Sequence, residues 1–140
     1  MNDSYTELPA KPRPQIALDN QPYWDGLRRH QLLVQRCVKC AKLRHYPRPM
    51  CDACYSFEYD WFELSGPATV HSWTVTHHAF HPGFKQDLPY VTVTADLQDG
   101  IRLQAPLVGG DANLAIGMPL ELEFIDVDAE LTIVSMRIRA

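Results

Sequence analysis

From residue 57 to the end of the chain, apolar positions recur mostly at every second residue. Residues 57–64 begin by alternating aromatic with acidic side chains. Residues 89–97 set Val91, Val93, Ala95 and Leu97 against Thr92, Thr94 and Asp96. Ile101, Leu103, Ala105 and Leu107 carry the same phase onward, and residues 120–124 alternate again. A period of two is that of a pleated strand with one face in a core. Residues 68–80 are rich in β-branched and aromatic residues and read as one long, coiled strand. In residues 131–138 the phase breaks at Ile133-Val134, which predicts a bulge or burial on both faces. Gln98-Asp99-Gly100 is a tight hairpin signal, Gly66-Pro67 and Val108-Gly109-Gly110 are breaks, and residues 111–117 read as a single helical or 3₁₀ turn. Five strands thus follow Gly66-Pro67, in the order and lengths of a small OB-type barrel, with an SH3-like barrel as the alternative.

Upstream the period changes. Residues 22–29 put Tyr23, Trp24 and Leu27 on one helical stripe and Asp25, Arg28 and Arg29 on the other. Asn20 or Gln21 stands at the expected cap and Pro22 in the first turn. A helix this short is unstable in water alone, so it must dock, on its own domain or on another subunit. Before it, Pro9, Pro12, Pro14 and Pro22 forbid a longer helix and predict an extended arm, mobile or laid on a partner. After it, residues 32–36 form a short β-type run. The expected organisation is an arm over residues 1–22, a helix and metal ribbon over 23–56, and the barrel over 57–140.

Composition supports one ordinary domain with a stapled module: 140 residues, 46% apolar, with 11 prolines and 7 glycines favouring short elements. No basic-apolar leader opens the chain and no apolar run nears 18 residues, so it reads as a soluble, cytoplasmic protein without a membrane partner. Charge changes the picture more. The net charge of −4 hides a segment, residues 28–48, with seven basic residues and no acidic one. Residues 55–140 hold four basic and twelve acidic residues. A long polyanion would be repelled by most of this surface, whereas a compact phosphate-bearing cofactor would meet only the basic face. Arg36, Lys42, Arg44 and Arg48 are the candidate phosphate contacts; a merely solvated basic face is the bland alternative.

All four cysteines lie in or just beyond this basic segment, as Cys37-Val38-Lys39-Cys40 and Cys51-Asp52-Ala53-Cys54. Two residues between sulfurs let a tight turn aim both thiolates at one point, and two such knuckles make a tetrahedron. Structural zinc is the expectation. Two disulfides would need an oxidising compartment, and iron of the rubredoxin kind would need the same ligands. His45, with four sulfurs already in place, reads as a surface or partner-contacting histidine. His77, His78 and His81 lack an acidic neighbour and a fixed third ligand, so a second metal site is not expected. Phe80 and Phe84, around Pro82-Gly83, suit a ligand or partner contact instead.

Taken together, several segments resemble one family. These are residues 23–27 (Tyr-Trp-Asp-Gly-Leu), 32–40, 47–54, 65–75, 89–97 and 116–122, and the likeness covers about residues 20–138. The family joins a rubredoxin-like zinc ribbon to an OB-fold and is associated with acyl-CoA enzymes. The resemblance implies a mainly β protein, zinc on Cys37, Cys40, Cys51 and Cys54, and a non-catalytic accessory subunit. Its partner would be a thiolase-fold enzyme or a related aldolase, acyltransferase or enoyl-CoA hydratase, and it would help hold acyl-CoA. Tyr23, Trp24, His78, Phe80, Phe84 and Tyr90 are the candidate partner or acyl contacts. Two departures stand out. Many members carry glycine after the second and fourth cysteines, where a knuckle wants positive φ; here Ala41 and Tyr55 stand there. Gln104-Ala105-Pro106 is also atypical. The residues themselves offer no free cysteine, no Gly-x-Ser-x-Gly and no paired-carboxylate motif. The competing readings are a nucleic-acid-binding ribbon and barrel, a rubredoxin-type iron carrier and a small enzyme using the histidine loop.

Overall fold

The computed structural model describes residues 9–109 and 113–139. Helix α1 (Gln21–Arg28) has Pro22 in its first turn and buries Tyr23, Gly26 and Leu27. Asn20 precedes it, and its side chain accepts the Ala17 N–H at 2.7 Å rather than capping the helix. Gly26 is required by close approach: a Cβ there would sit 2.9 Å from the Leu33 side chain and 3.1 Å from the Gln31 carbonyl. The helix therefore docks on its own chain. His30, at φ 58°, reverses the backbone into β1 (Leu32–Cys37).

Strand β1 is the centre of a three-stranded antiparallel sheet, flanked by β2 (Leu43–Arg44) and β3 (Tyr59–Leu64). Pairing runs from Leu32↔Leu64 to Cys37↔Tyr59 on one side, with Gln35↔Arg44 and Arg36↔Leu43 on the other. The alternating stretch expected to open the barrel at residue 57 is thus the ribbon's third strand. The two sheets part at Ser65–Pro67 instead. Alternation reveals a strand and its buried face, but not which neighbour satisfies its backbone.

The barrel consists of β4 (Ala68–Thr76), β5 (Tyr90–Asp96), β6 (Arg102–Val108), β7 (Pro119–Asp126) and β8 (Thr132–Ile138). It closes in the order β4-β5-β6-β8-β7, antiparallel except for β6 and β8, which run parallel at Leu107↔Met136 and Val108↔Arg137. This is the five-stranded OB arrangement. The expected long strand stops at Thr76, and a 3₁₀ turn (Pro82–Asp87) follows within the loop to β5. Strand β8 is buried on both faces at Val134, Ser135 and Met136 and pairs with β7 without a register shift. The phase break at Ile133-Val134 therefore reflects two-sided burial. Of the expected turn over residues 111–117, residues 111 and 112 lie outside the described residues, and Asn113–Ala115 are not helical.

One core runs through both parts. Tyr23, Leu27, Leu32, Val34 and Leu64 of the helix and ribbon pack with Val70, Val93, Leu103, Leu120 and Met136 of the barrel. Burying a side chain of this size stabilises by about 1.5–3 kcal/mol, so the junction is continuous with the barrel interior rather than a hinge. Residues 1–8 of the expected arm lie outside the described residues. From Pro9 the arm lies on its own barrel: Lys11 pairs with Asp87 and stands over the Phe84 ring. Arg13 donates to both oxygens of Asp128, at 2.8 and 3.3 Å. Gly83 lets the strap pass, since a Cβ there would meet the Lys11 nitrogen at 2.9 Å and the Pro9 carbonyl at 3.0 Å.

Candidate metal centre

Each knuckle is a turn closed by two backbone hydrogen bonds. In the first, Ala41 N–H donates to Cys37 O (2.9 Å) and Cys37 N–H to Lys42 O (2.9 Å). In the second, Tyr55 N–H donates to Cys51 O (3.0 Å) and Cys51 N–H to Ser56 O (2.9 Å). The matching geometry forces Ala41 to φ 66° and Tyr55 to φ 63°, the conformation for which glycine is the ordinary residue. The cysteine spacing makes these two turns alike.

The four sulfurs lie within 4.8 Å of one another, with Cys37 and Cys54 Sγ at 3.5 Å and Cys40 and Cys51 Sγ at 3.6 Å. No pair is joined as a disulfide. Zn–S bonds of about 2.3 Å in a tetrahedron place sulfurs about 3.8 Å apart, so this cluster fits the ion. The chemistry of the donors points the same way. Backbone N–H groups of Cys40 and Lys39 hold the Cys37 thiol below its ordinary range, and those of Cys54 and Ala53 bring Cys51 down to about 6. At Cys54 the Ser56 N–H favours the thiolate, yet the neighbouring sulfurs of Cys37, Cys40 and Cys51 push it up to about 12. Four sulfurs this close cannot all ionise without a cation between them. With all four positions taken by sulfur, zinc here would supply structure and have no site for substrate.

The basic segment is less free than its composition suggests. Arg36 makes a bidentate pair with Asp60 (both bonds 2.9 Å), Lys42 pairs with Asp52 (2.9 Å) and Lys39 with Glu58 (3.1 Å). Hydrogen bonds from Arg36 and Lys42 hold the Asp60 and Asp52 carboxyls below the usual carboxylate range. Arg44 is 2% exposed and cannot reach an external phosphate. The β1–β2 register places it opposite Gln35, whose Oε1 accepts from Arg44 Nε (2.7 Å) and from the Arg48 N–H (2.8 Å). Arg44 Nη2 donates to Arg48 O (2.9 Å), and its guanidinium lies over the Tyr59 ring at 5.3 Å. Gln35 Nε2 and Arg44 Nη1 find no partner among the described residues. Arg44 thus holds the backbone of Arg48, whose side chain is exposed and makes no ion pair among the described residues. Sequence reasoning missed Gln35, which lies on the face of β1 opposite Leu32 and Val34; that face is buried too, and period-two patterning carries no signal for it.

The aromatic candidates separate into three places. Tyr23 is 4% exposed, edge-on to Trp24 and Tyr46, and burial pushes its phenol well up. Trp24 is half-buried and donates from Nε1 to the Tyr46 hydroxyl at 2.9 Å. Both belong to the helix dock, Tyr23 in its interior and Trp24 part-exposed at its edge. Phe84 packs on Tyr90, ring centroids 5.7 Å apart, and on His81; Phe80 stands apart at 85% exposure with His78 edge-on to it. The two phenylalanines of the loop do not pair. His45, expected at the surface, is half-buried against Tyr23, and burial lowers its pKa to about 4. Among the described residues the four cysteines form the one cluster suited to a metal, and no helix is long and apolar enough to cross a membrane. A groove of about 420 Å³ follows the junction of ribbon and barrel, floored by Leu32, Leu64, Leu120, Leu122 and Phe124.

A four-thiolate ribbon fused through one core to an OB barrel defines the class: a zinc-ribbon/OB-fold protein. Residues 24–60 match the rubredoxin-like zinc ribbon domain of ChsH2, and residues 61–124 match the ChsH2 C-terminal OB-fold domain. A "Probable enoyl-CoA hydratase alpha subunit" of Thermomonospora curvata is 40% identical over 88% of this chain and 38% of its own length. A "3-oxo-4,17-pregnadiene-20-carboxyl-CoA hydratase alpha subunit" of Mycobacterium tuberculosis is 36% identical over 84% of this chain and 37% of its own. The chain therefore spans under two-fifths of those two relatives. A "DUF35 domain-containing scaffold protein" of Methanocaldococcus jannaschii is 30% identical over 69% of each chain. Among solved structures, a chain of the Ltp2-ChsH2(DUF35) aldolase superposes with a TM-score of 0.80 at 39% identity, covering 90% of this chain and 98% of that one. This chain belongs to the ChsH2 (DUF35) family.

Proposed function

We propose that this chain is a non-catalytic subunit that completes an acyl-CoA-processing enzyme of the aldolase or hydratase type, on a thiolase-fold partner. The observation that carries the reading is the likeness to a whole chain of the Ltp2-ChsH2(DUF35) aldolase, 39% identical over 98% of its length. The thiolate site agrees with it, because every cysteine is committed to the cluster and none is left as a nucleophile. The need to keep those thiols reduced for metal supports a cytoplasmic place.

For acyl-CoA itself, the ribbon supports a narrower contact than its charge implied. Arg48 has the available guanidinium. Arg36 and Lys42, at 41% and 46% side-chain exposure, could exchange Asp60 and Asp52 for a phosphate, because exposed ion pairs contribute only about 0–1 kcal/mol. The acyl group would then follow the leucine-floored groove or enter the partner.

The test is co-expression with the aldolase or hydratase chain of the same organism. The reading expects co-purification in fixed stoichiometry and partner turnover that falls at least tenfold when this chain is withheld. Unchanged turnover, or turnover by this chain alone, would sink it.

A further inference from the structure

The inward stripe of β4 outlasts the barrel. Strand β7 closes on β4 only at Ala68↔Leu120 and Thr69↔Pro119, and Val70 ends the seam by bonding Gly117 and Met118. From Ser72 to Thr76, β4 pairs with β5 on one side, and no described residue bonds its backbone on the other. Trp73 stands opposite Val93 and Val75 opposite Val91. Residues opposite each other across an antiparallel pair share a face, so Trp73 and Val75 point to the side on which Val93 is fully buried. Yet they are 37% and 46% exposed, and Phe80 just beyond the strand is 85% exposed.

Open edges in folded proteins are ordinarily blunted by charge, proline or shortness. Ser72-Trp73-Thr74-Val75-Thr76 carries neither charge nor proline, and the β4 bulge between Val70 and Ser72 lies before the open part. Charge suggests what covers it. From Ser65 to Gln86 there is no Asp or Glu, only Lys85 and four histidines, on a barrel otherwise rich in carboxylates. The carboxylates beside it are already paired, Asp96 with His71 and Arg102 and Asp87 with Lys11, so a carboxylate-bearing segment meets no unpaired like charge within this run. A second copy of the same edge would bring no carboxylate to it.

We propose that the open edge of β4, from Ser72 to Thr76 with Trp73, Val75 and Phe80, docks an extended segment of the partner enzyme. That segment adds a strand to β4, sets apolar side chains at alternate positions over Trp73 and Val75, and carries carboxylates at its flanks. This deepens the accessory-subunit reading and rests on it.

Amide hydrogen exchange at residues 72–76 is measured in the full chain alone and in its complex with the co-expressed aldolase or hydratase chain. The double variant W73E/V75K is titrated in parallel. The proposal expects the outward amides of this edge to slow about tenfold or more in the complex. It expects the variant, altered at part-exposed positions, to bind at least about tenfold more weakly with its melting temperature retained. A complex that leaves residues 72–76 unprotected overturns the docking surface while the subunit reading stands. Failure to form a complex with either enzyme overturns both. Protection in the isolated chain that rises with its concentration gives the edge to a second copy and overturns the partner strand.

Discussion

Gln35→Leu should damage the ribbon more than loss of the charge that Gln35 serves. Its Oε1 accepts from Arg44 Nε at 2.7 Å and from the Arg48 N–H at 2.8 Å, and Gln35 is fully buried. A bond from a charged donor contributes about 1.5–3 kcal/mol and a neutral one about 1 kcal/mol. Leucine fills the space and accepts neither, stranding a buried guanidinium; the expected cost is about 3 kcal/mol. Arg44→Met removes the charge together with its desolvation and leaves Gln35 its bond to Arg48. It loses the bond to Arg48 O and the contact with Tyr59, so about 1 kcal/mol is expected. In the double variant no charge is stranded, and the cost should fall short of the sum by about 1–2 kcal/mol. Urea unfolding at saturating zinc, followed through Trp61 on the neighbouring β3, measures all four corners of the cycle. If Arg44→Met costs as much as Gln35→Leu, or if the two costs simply add, Arg44 is not held in the way described here.

Ala41→Gly and Tyr55→Gly should each stabilise, since left-handed backbone at a non-glycine residue costs on the order of 1 kcal/mol; a fall in urea midpoint at saturating zinc would contradict the knuckle geometry. His45 is lowered to about 4 by burial, so between pH 6.5 and 4 the unfolded chain binds the extra proton and stability falls as pH falls. Between pH 7 and 5.5, at saturating zinc, this amounts to about 1 kcal/mol, and the slope should flatten in His45→Phe; an equal slope in the variant assigns it elsewhere. Gly83→Ala should lift the strap from the barrel, seen as loss of the NMR contact between the Lys11 side chain and the Phe84 ring with little change in global stability; an unchanged contact would show that Gly83 does not set the strap's path.

Most of the barrel was legible because strands such as β5 and β6 bury one face each, so the period of two survives in the sequence; β8, buried on both faces, breaks it. Val93, Ala95, Leu103 and Ala105 are all interior, as their phase requires. The metal centre was legible because ligand spacing within a knuckle is local. What escaped depends on pairing. Strand β3 reads as a strand anywhere, and only its register with β1 assigns it to the ribbon. The basic segment looked free because its partners Asp52, Glu58 and Asp60 lie outside residues 28–48 and are brought back by the second knuckle and β3. Arg44 is buried by its place opposite Gln35, which charge counting cannot see. The arm's proline pattern shows that it is extended but not where it lies; Lys11, Arg13 and Gly83 settle that through contacts distant in sequence.

This chain's metal site is closed: four sulfurs surround one position and leave none for substrate. X-ray absorption at the zinc edge of the purified protein tests it most directly. One zinc per chain is expected, with four sulfur neighbours at about 2.3 Å and no nitrogen or oxygen neighbour. A nitrogen or oxygen neighbour at about 2.0–2.1 Å would mean an open or exchanged position, and the chain would have to be reconsidered as a catalyst.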